Sequence, residues 1–198
     1  FEVNLAVWLE MTDAETDALL PGGLRDLLPE EAVLHAETIQ RLVAVFSAFG
    51  YRHVKPPLLE FEESLLGGVS GAVGNQTFRL MDPISQRMMG IRADITPQIS
   101  RIARTRLSKE PRPLRLSYAG EVLRVKGTQL QPSRQLTQVG AELIGSAAPE
   151  ADAEVILMAL NAITRIGLKH LSVDLTVPRL VPYLLDLFEI EGRQRLGL

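Results

Sequence analysis

The hydrophobic positions change period along this chain, and the changes mark its elements. Val33, Leu34, Leu42, Val43, Val45, Phe46 and Phe49 form a broad stripe of roughly helical period. Pro29 suits a first helical position, Glu30 and Glu31 suit the positive end of the helix dipole, and Gly50 suits a C-terminal stop. A long helix is therefore predicted from Pro29 to just before Gly50. Residues 51–55 read as a short strand closed by Pro56 and Pro57. Residues 77–80 and 88–92 read as two strands, and 81–87 between them has hairpin-turn chemistry. Thr96 as N-cap and Pro97 as the first helical residue predict a helix running to about residue 107. Residues 114–125 and 134–145 predict a longer antiparallel hairpin joined by a loop over 126–133. A helix opens at Pro149 and Glu150 and stops at Gly167; a short strand at 171–177 and a helix after Pro178 follow. Helices interleaved with antiparallel hairpins place the chain in the α+β class.

The second strand of the longer hairpin carries the most informative pattern. Side chains alternate faces along a strand. Val139, Ala141 and Leu143 fall on one face and suit a packed core. Gln138, Gly140, Glu142 and Ile144 fall on the other, so two polar groups flank a position with no side chain. Such a face can floor a site for a small, polar, cationic ligand. Asp94, at a strand end before the helix that starts at Thr96, supplies a second carboxylate for the same purpose. These residues also fit a plainer use, Asp94 as a helix-entry acid and Gln138 and Glu142 as a solvated strand face, which spacing alone favours. Arg124 ends the first hairpin strand, where it could grip an anion bidentately or form a rim salt bridge. Arg101 and Arg104 share a helix face, which reads as solvated.

Composition narrows the chemistry. The 198 residues are 46% hydrophobic and 23% charged, which suits one domain with a good core. A net charge of −3 argues against bulk electrostatic binding of nucleic acid. The chain has no cysteine, so disulfides, thiolate metal sites and cysteine nucleophiles are excluded, and a cytoplasmic setting is permitted. Its three histidines, His35, His53 and His170, are too widely spaced to suggest a metal site. No stretch reaches the length of a membrane span. The glycines at 67, 68, 71 and 74 lack the lysine and preceding strand of a phosphate-binding loop, so a mobile surface loop is expected there. Residues 1–18 are expected to be a leader, disordered or foreign to the native protein, with one domain over 19–198.

The long helix followed by Gly50, Tyr51, Pro56, Pro57 and Glu60 resembles motif 1 of class II aminoacyl-tRNA synthetases, and Tyr118-Ala-Gly-Glu-Val-Leu-Arg124 with the next strand resembles motif 2. Within the class the histidyl-tRNA synthetase pattern fits best. Its members read Arg-Pro-Glu-Gly-Thr where this chain reads Arg92-Ala-Asp-Ile-Thr96, and Gln138, Gly140 and Glu142 match the spacing that follows motif 2. The resemblance implies an antiparallel class II sheet flanked by helices, a homodimer through that core, and histidine-binding roles for Asp94, Thr96, Gln138 and Glu142.

Two departures redirect this expectation. Synthetases place an acid two residues after the motif 2 arginine, where it accepts from the adenine amino group; here that residue is Lys126, which has donors only. The arginine-rich loop of the synthetases is replaced by the uncharged Gly127-Thr-Gln-Leu-Gln-Pro-Ser133. An intact amino-acid side beside an altered ATP side is similar to the regulatory-subunit family of ATP phosphoribosyltransferase. That resemblance implies a non-catalytic, cytoplasmic protein needing no cofactor, which activates the short-form catalytic subunit and makes it sensitive to histidine. Transfer RNA is not an expected partner, and histidine–tRNA ligation is the alternative activity. No glycine-rich third motif occurs before Leu198, so the core is expected to lack its C-terminal part.

Overall fold

The computed structural model describes residues 2–4, 20–67, 74–176 and 180–188. They fall into two compact units, 1–168 and 169–198. In the first, β1 (Glu2–Asn4) precedes α1 (Pro29–Ala48), β2 (Arg52–His53), β3 (Leu59–Phe61) and the single-turn α2 (Glu62–Leu65). Then come β4 (Phe78–Met81), β5 (Met88–Ile91), α3 (Thr96–Arg104), β6 (Leu114–Leu123), β7 (Gln135–Ile144) and α4 (Pro149–Arg165). The second unit contributes α5 (Leu180–Leu187).

Two sheets organise the first unit. The larger has the order β1-β7-β6-β2, and the smaller β3-β5-β4. β6 and β7 pair antiparallel over their full lengths, from Leu114 opposite Ile144 to Leu123 opposite Gln135. β2 runs parallel to β6, and Glu2–Asn4 pair antiparallel with Gly140, Val139 and Gln138. The rest of the expected leader, and most of the glycine-rich stretch expected to be a loop, lie outside the described residues.

The strand pair is packed on both faces. On one, Val139 and Ala141 join Leu42, Val45 and Phe46 of α1 and Met158 and Ala162 of α4 in a buried cluster, with Leu143 packed against it. On the other, Leu114, Leu116, Tyr118 and Val122 of β6 join Ile95, Ile99 and Ala103 around α3. The alternation seen in the sequence thus separates two cores across one hairpin. Tyr51, Arg115 and Glu154 fasten the first of these. Arg115 donates to both Glu154 oxygens at 2.7 Å, and the Tyr51 hydroxyl donates to Oε1 at 3.0 Å. The Arg115 guanidinium holds the Glu154 carboxyl below its ordinary range.

Several expectations need adjustment. The apolar stripe of α1 is not buried along its length. Leu42 and Phe46 are fully buried, whereas Val33 and Leu34 stay exposed, because the first turns of α1 extend past the sheet's partner residues. Thr96 is not the cap of α3. The helix already includes Thr96, Ile95 occupies the capping position, and the Thr96 amide donates to Asp94 Oδ1 at 2.9 Å. A carboxylate just before the helix does the capping work, which leaves the threonine hydroxyl free for other partners. α3 also ends at Arg104, three residues short of the expected 107. The strand expected at 171–177 does not form over 171–176. These residues are all exposed and belong to no sheet, since an alternating pattern makes a strand only when another strand takes up its hydrogen bonds. β3 and α2 were not legible; three- and four-residue elements are too short to show a period.

The candidate site between a helix start and a strand pair

The hairpin places Gln138, Gly140 and Glu142 in a row on the face of β7 that meets α3. β5 ends at Ile91, and the link Arg92–Ile95 carries Asp94 across that face before α3 begins. Four of the five residues singled out by the sequence are brought into one hydrogen-bonded group. Gln138 Oε1 accepts from the Ile95 amide at 2.8 Å, and its Nε2 donates to Asp94 Oδ1 at 2.9 Å. The Thr96 hydroxyl donates to Glu142 Oε1 at 3.3 Å.

Burial decides between the two uses the sequence left open for Gln138. The residue is 1% exposed, so it is not part of a solvated strand face. Both ends of its amide grip the link before α3, and that makes it a positioning residue: it holds Asp94 and the helix start over the strand. Glu142 is half-buried. Burial pushes its carboxyl above the ordinary range, and the Asp94 charge pushes the same way, while hydrogen bonds from Thr96 and Tyr118 act in the opposite direction.

Gly140 does not leave an open gap. Tyr118 stands directly opposite it in the β6–β7 register and lays its ring over the glycine. A Cβ at Gly140 would lie 2.5 Å from the Tyr118 hydroxyl oxygen. That hydroxyl sits 3.1 Å from Thr96 Oγ1 and donates to Glu142 Oε1 at 3.4 Å. Tyr118 is therefore a site residue that the alternation pattern missed. The available signal was the pairing itself, a glycine opposite an aromatic residue.

A second glycine plays the same part for a second long side chain. A Cβ at Gly120, which is opposite Gln138, would come within 2.3 Å of Arg92 Nη2. Arg92 is 5% exposed and donates to the carbonyls of Glu121 at 2.7 Å and Pro56 at 2.9 Å, and to Gln98 Oε1 at 3.3 Å. Gln98 in turn donates to the Pro57 carbonyl and to Glu60, which also takes a bidentate grip from Arg101. Arg101, read from sequence as part of a solvated face, is tied into this network instead. The network anchors both ends of the link that carries Asp94. Neither Arg92 nor Gln98 had a sequence signal beyond its place beside the Asp94–Thr96 string.

Arg124, the fifth candidate, stands apart from Thr96, Gln138 and Glu142 but shares a cavity of about 290 Å³ with Asp94. Lys126, Gln76, Thr128 and Ser133 also line it. Among the described residues no cluster of histidine, cysteine and acidic side chains could hold a metal ion, and no helix is long and apolar enough to cross a membrane.

The family model for histidyl-tRNA synthetase matches residues 23–198. An ATP phosphoribosyltransferase regulatory subunit from Paramagnetospirillum magneticum is 56% identical over 92% of this chain and 48% of its own length. One from Rhodospirillum centenum is 60% identical over 89% of this chain and 46% of its own. The chain thus spans about half the length of the curated relatives it matches. Its fold is similar to a crystal structure described as an ATP phosphoribosyltransferase regulatory subunit/histidyl-tRNA synthetase from Bacillus halodurans. That similarity has a TM-score of 0.68 and 31% identity over 79% of this chain and 40% of the other.

Proposed function

The chain belongs to the histidyl-tRNA synthetase family, and on that premise we propose that it is part of a regulatory subunit of ATP phosphoribosyltransferase. In this reading it has no chemistry of its own. It binds histidine at the site built from Asp94, Thr96, Gln138 and Glu142, dimerises through the class II core, and assembles in the cytoplasm with a short-form catalytic subunit. It activates that subunit and makes the first step of histidine biosynthesis sensitive to the end product. The carrying observation is the 56 to 60% identity to proteins named as such regulatory subunits.

The geometry suits a sensor. Asp94 and Glu142 supply negative charge for an ammonium or a donor-bearing ring, and Gln138 and Tyr118 hold them in place. Lys126 stands where a synthetase needs an acceptor for adenine, so the amino-acid side is retained without the means to read ATP. Regulation then works by linkage: histidine shifts the assembly toward whichever state binds it more tightly.

Calorimetry of histidine on the complete protein tests this reading, with the activity of an added short-form catalytic subunit as second readout. Binding together with a change in that activity is the expected result. Absence of both would sink it. Histidine-dependent exchange between ATP and pyrophosphate would instead favour a histidine–tRNA ligase.

A further inference from the structure

The loop over residues 126–133 has the make-up of a nicking site, with residues 126–130 all exposed and a glycine at 127. It is nevertheless fastened at its start, its tip and its end. At the start, the Val125 amide donates to the Gln76 carbonyl at 3.0 Å and the Lys126 amide to Gln76 Oε1 at 3.2 Å. At the tip, the Thr128 amide donates to the Gln131 carbonyl at 2.8 Å, and the Gln131 amide donates back to the Thr128 carbonyl and to Thr128 Oγ1. A Cβ at Gly127 would lie 2.3 Å from the Pro132 carbonyl oxygen, so the two limbs of the loop touch. At the end stands Arg134, whose side chain reaches a part of the chain 112 residues away.

Arg134 ties the loop base to a turn at residues 21–23, which the Leu24 amide closes by donating to the Pro21 carbonyl at 3.0 Å. The Arg134 amide donates to the Gly23 carbonyl at 2.7 Å, and Nη1 donates to the Gly22 carbonyl at 3.1 Å. On the other side, Nε donates to the Arg124 carbonyl at 3.3 Å, and the Arg134 carbonyl accepts from the Arg124 amide at 2.8 Å. The guanidinium also lies over the Phe78 ring of β4, 4.9 Å from its centroid. Gly23 is fitted to this contact. Its φ is +79°, and a Cβ there would lie 2.8 Å from Arg134 Cγ and 2.9 Å from the Pro132 carbonyl oxygen. One planar, forked side chain thus joins the turn, both loop roots and the smaller sheet.

Lys126, Gly127, Thr128, Gln131 and Ser133 of this loop form one wall of the cavity of about 290 Å³ beside Asp94. A wall that must first be ordered lowers apparent affinity by the fraction of molecules in which it stands. We infer that Arg134, seated on the turn at residues 21–23, is the positioning residue that keeps this wall standing before any ligand arrives, so that the effector meets a preformed site. The inference deepens the histidine-binding reading above and takes from it only the identity of the effector.

Limited trypsin digestion of the complete protein, read by mass spectrometry, tests this. The bond after Lys126 reports the loop, and the bond after Arg115, inside β6, reports global unfolding. Wild type should be cut slowly after Lys126, at the same rate with and without saturating histidine. Arg134→Gln should raise that cleavage at least about tenfold without ligand, with cleavage after Arg115 unchanged, and histidine should slow it again. Its histidine affinity by calorimetry should fall about tenfold, as the population of the standing wall falls. Gly23→Ala keeps Arg134 but displaces its seat, and should give the same pattern if Arg134→Gln does not fold. Rapid ligand-free cleavage of wild type that histidine suppresses overturns the inference, because the ligand would then be ordering the loop. Equal rises after Lys126 and Arg115 overturn it too, since they reduce Arg134 to a stabilising residue of the fold; so does an unchanged histidine affinity once the loop is loosened. Absence of histidine binding to wild type overturns the histidine-binding reading alone, because the ligand-free cleavage rates still decide whether Arg134 holds the loop.

Discussion

The two faces of the β6–β7 hairpin are built from alternate residues of the same strands, yet they obey different rules. Val139 and Ala141 meet Leu42, Phe46 and Met158 through apolar contact alone. One position over, Gln138 and Glu142 meet Asp94, Thr96 and Tyr118 through directed hydrogen bonds. Apolar packing depends on volume and tolerates exchange of similar shapes. A buried polar group depends on particular partners and is costly without them. Changes on the first face should therefore alter stability alone, whereas changes on the second should alter ligand binding out of proportion to stability.

The largest effect belongs to the apolar face. Phe46 is fully buried between α1, α4 and the sheet. Phe46→Ala should cost about 3–5 kcal/mol by denaturant unfolding. Histidine affinity of the molecules that remain folded should not move. A change in affinity comparable to the change in stability would break the contrast, because it would couple the two faces through the sheet.

Gln138 gives the converse. Gln138→Leu keeps the volume but deprives the Ile95 amide of its acceptor and Asp94 of a donor. The expected cost is about 2–3 kcal/mol, with histidine binding weakened well beyond tenfold by calorimetry because the link carrying Asp94 is released. Normal affinity in a destabilised variant would reduce Gln138 to a structural residue.

How much of this was legible follows from the same contrast. α1 and the β6–β7 hairpin could be read in advance because apolar packing leaves a period in the sequence, 3.6 residues on Leu42 and Phe46 and two on Val139 and Ala141. Asp94, Thr96, Gln138 and Glu142 were legible through short strings, and the structure brings them together. Tyr118 and Arg92 were not, because glycine tells only that a side chain is missing. At Gly140 and Gly120 the space belongs to a neighbour's long side chain rather than to a ligand. Gln76 and Arg134 act through hydrogen bonds to distant backbone, at Lys126 and Gly22, which leave no local pattern at all.

Smaller and dependent on pH is the effect at Glu142. Burial raises its carboxyl above the ordinary range, so the folded protein holds the proton more tightly than the unfolded chain does. The contribution to stability is complete below the unfolded carboxyl range and is lost as pH rises through the raised folded value. Glu142→Gln removes that loss. Relative to wild type its Tm should be little changed at about pH 4 and higher at about pH 7, and histidine binding should fall because a negative partner is gone. A variant less stable than wild type at about pH 7 would instead mean that the carboxylate form is the one the fold favours.

The smallest effect tests the rule where the apolar face breaks it. Ser117 is on β6 opposite Ala141, fully buried, and its hydroxyl has no hydrogen-bond partner among the described residues. It is a polar group among neighbours that offer only contact. An unpaired buried hydroxyl is worth about 1–3 kcal/mol of destabilisation in protein mutants, offset in part by the small void its removal leaves. Ser117→Ala should therefore be neutral or raise stability by up to about 1 kcal/mol, with no change in histidine affinity. A clear loss of stability would show that the hydroxyl has a partner, and the face would then carry a polar requirement beyond the Tyr51–Arg115–Glu154 link. A change in affinity at constant stability would be more damaging, since it would carry ligand specificity through the sheet to the side that the contrast assigns to packing.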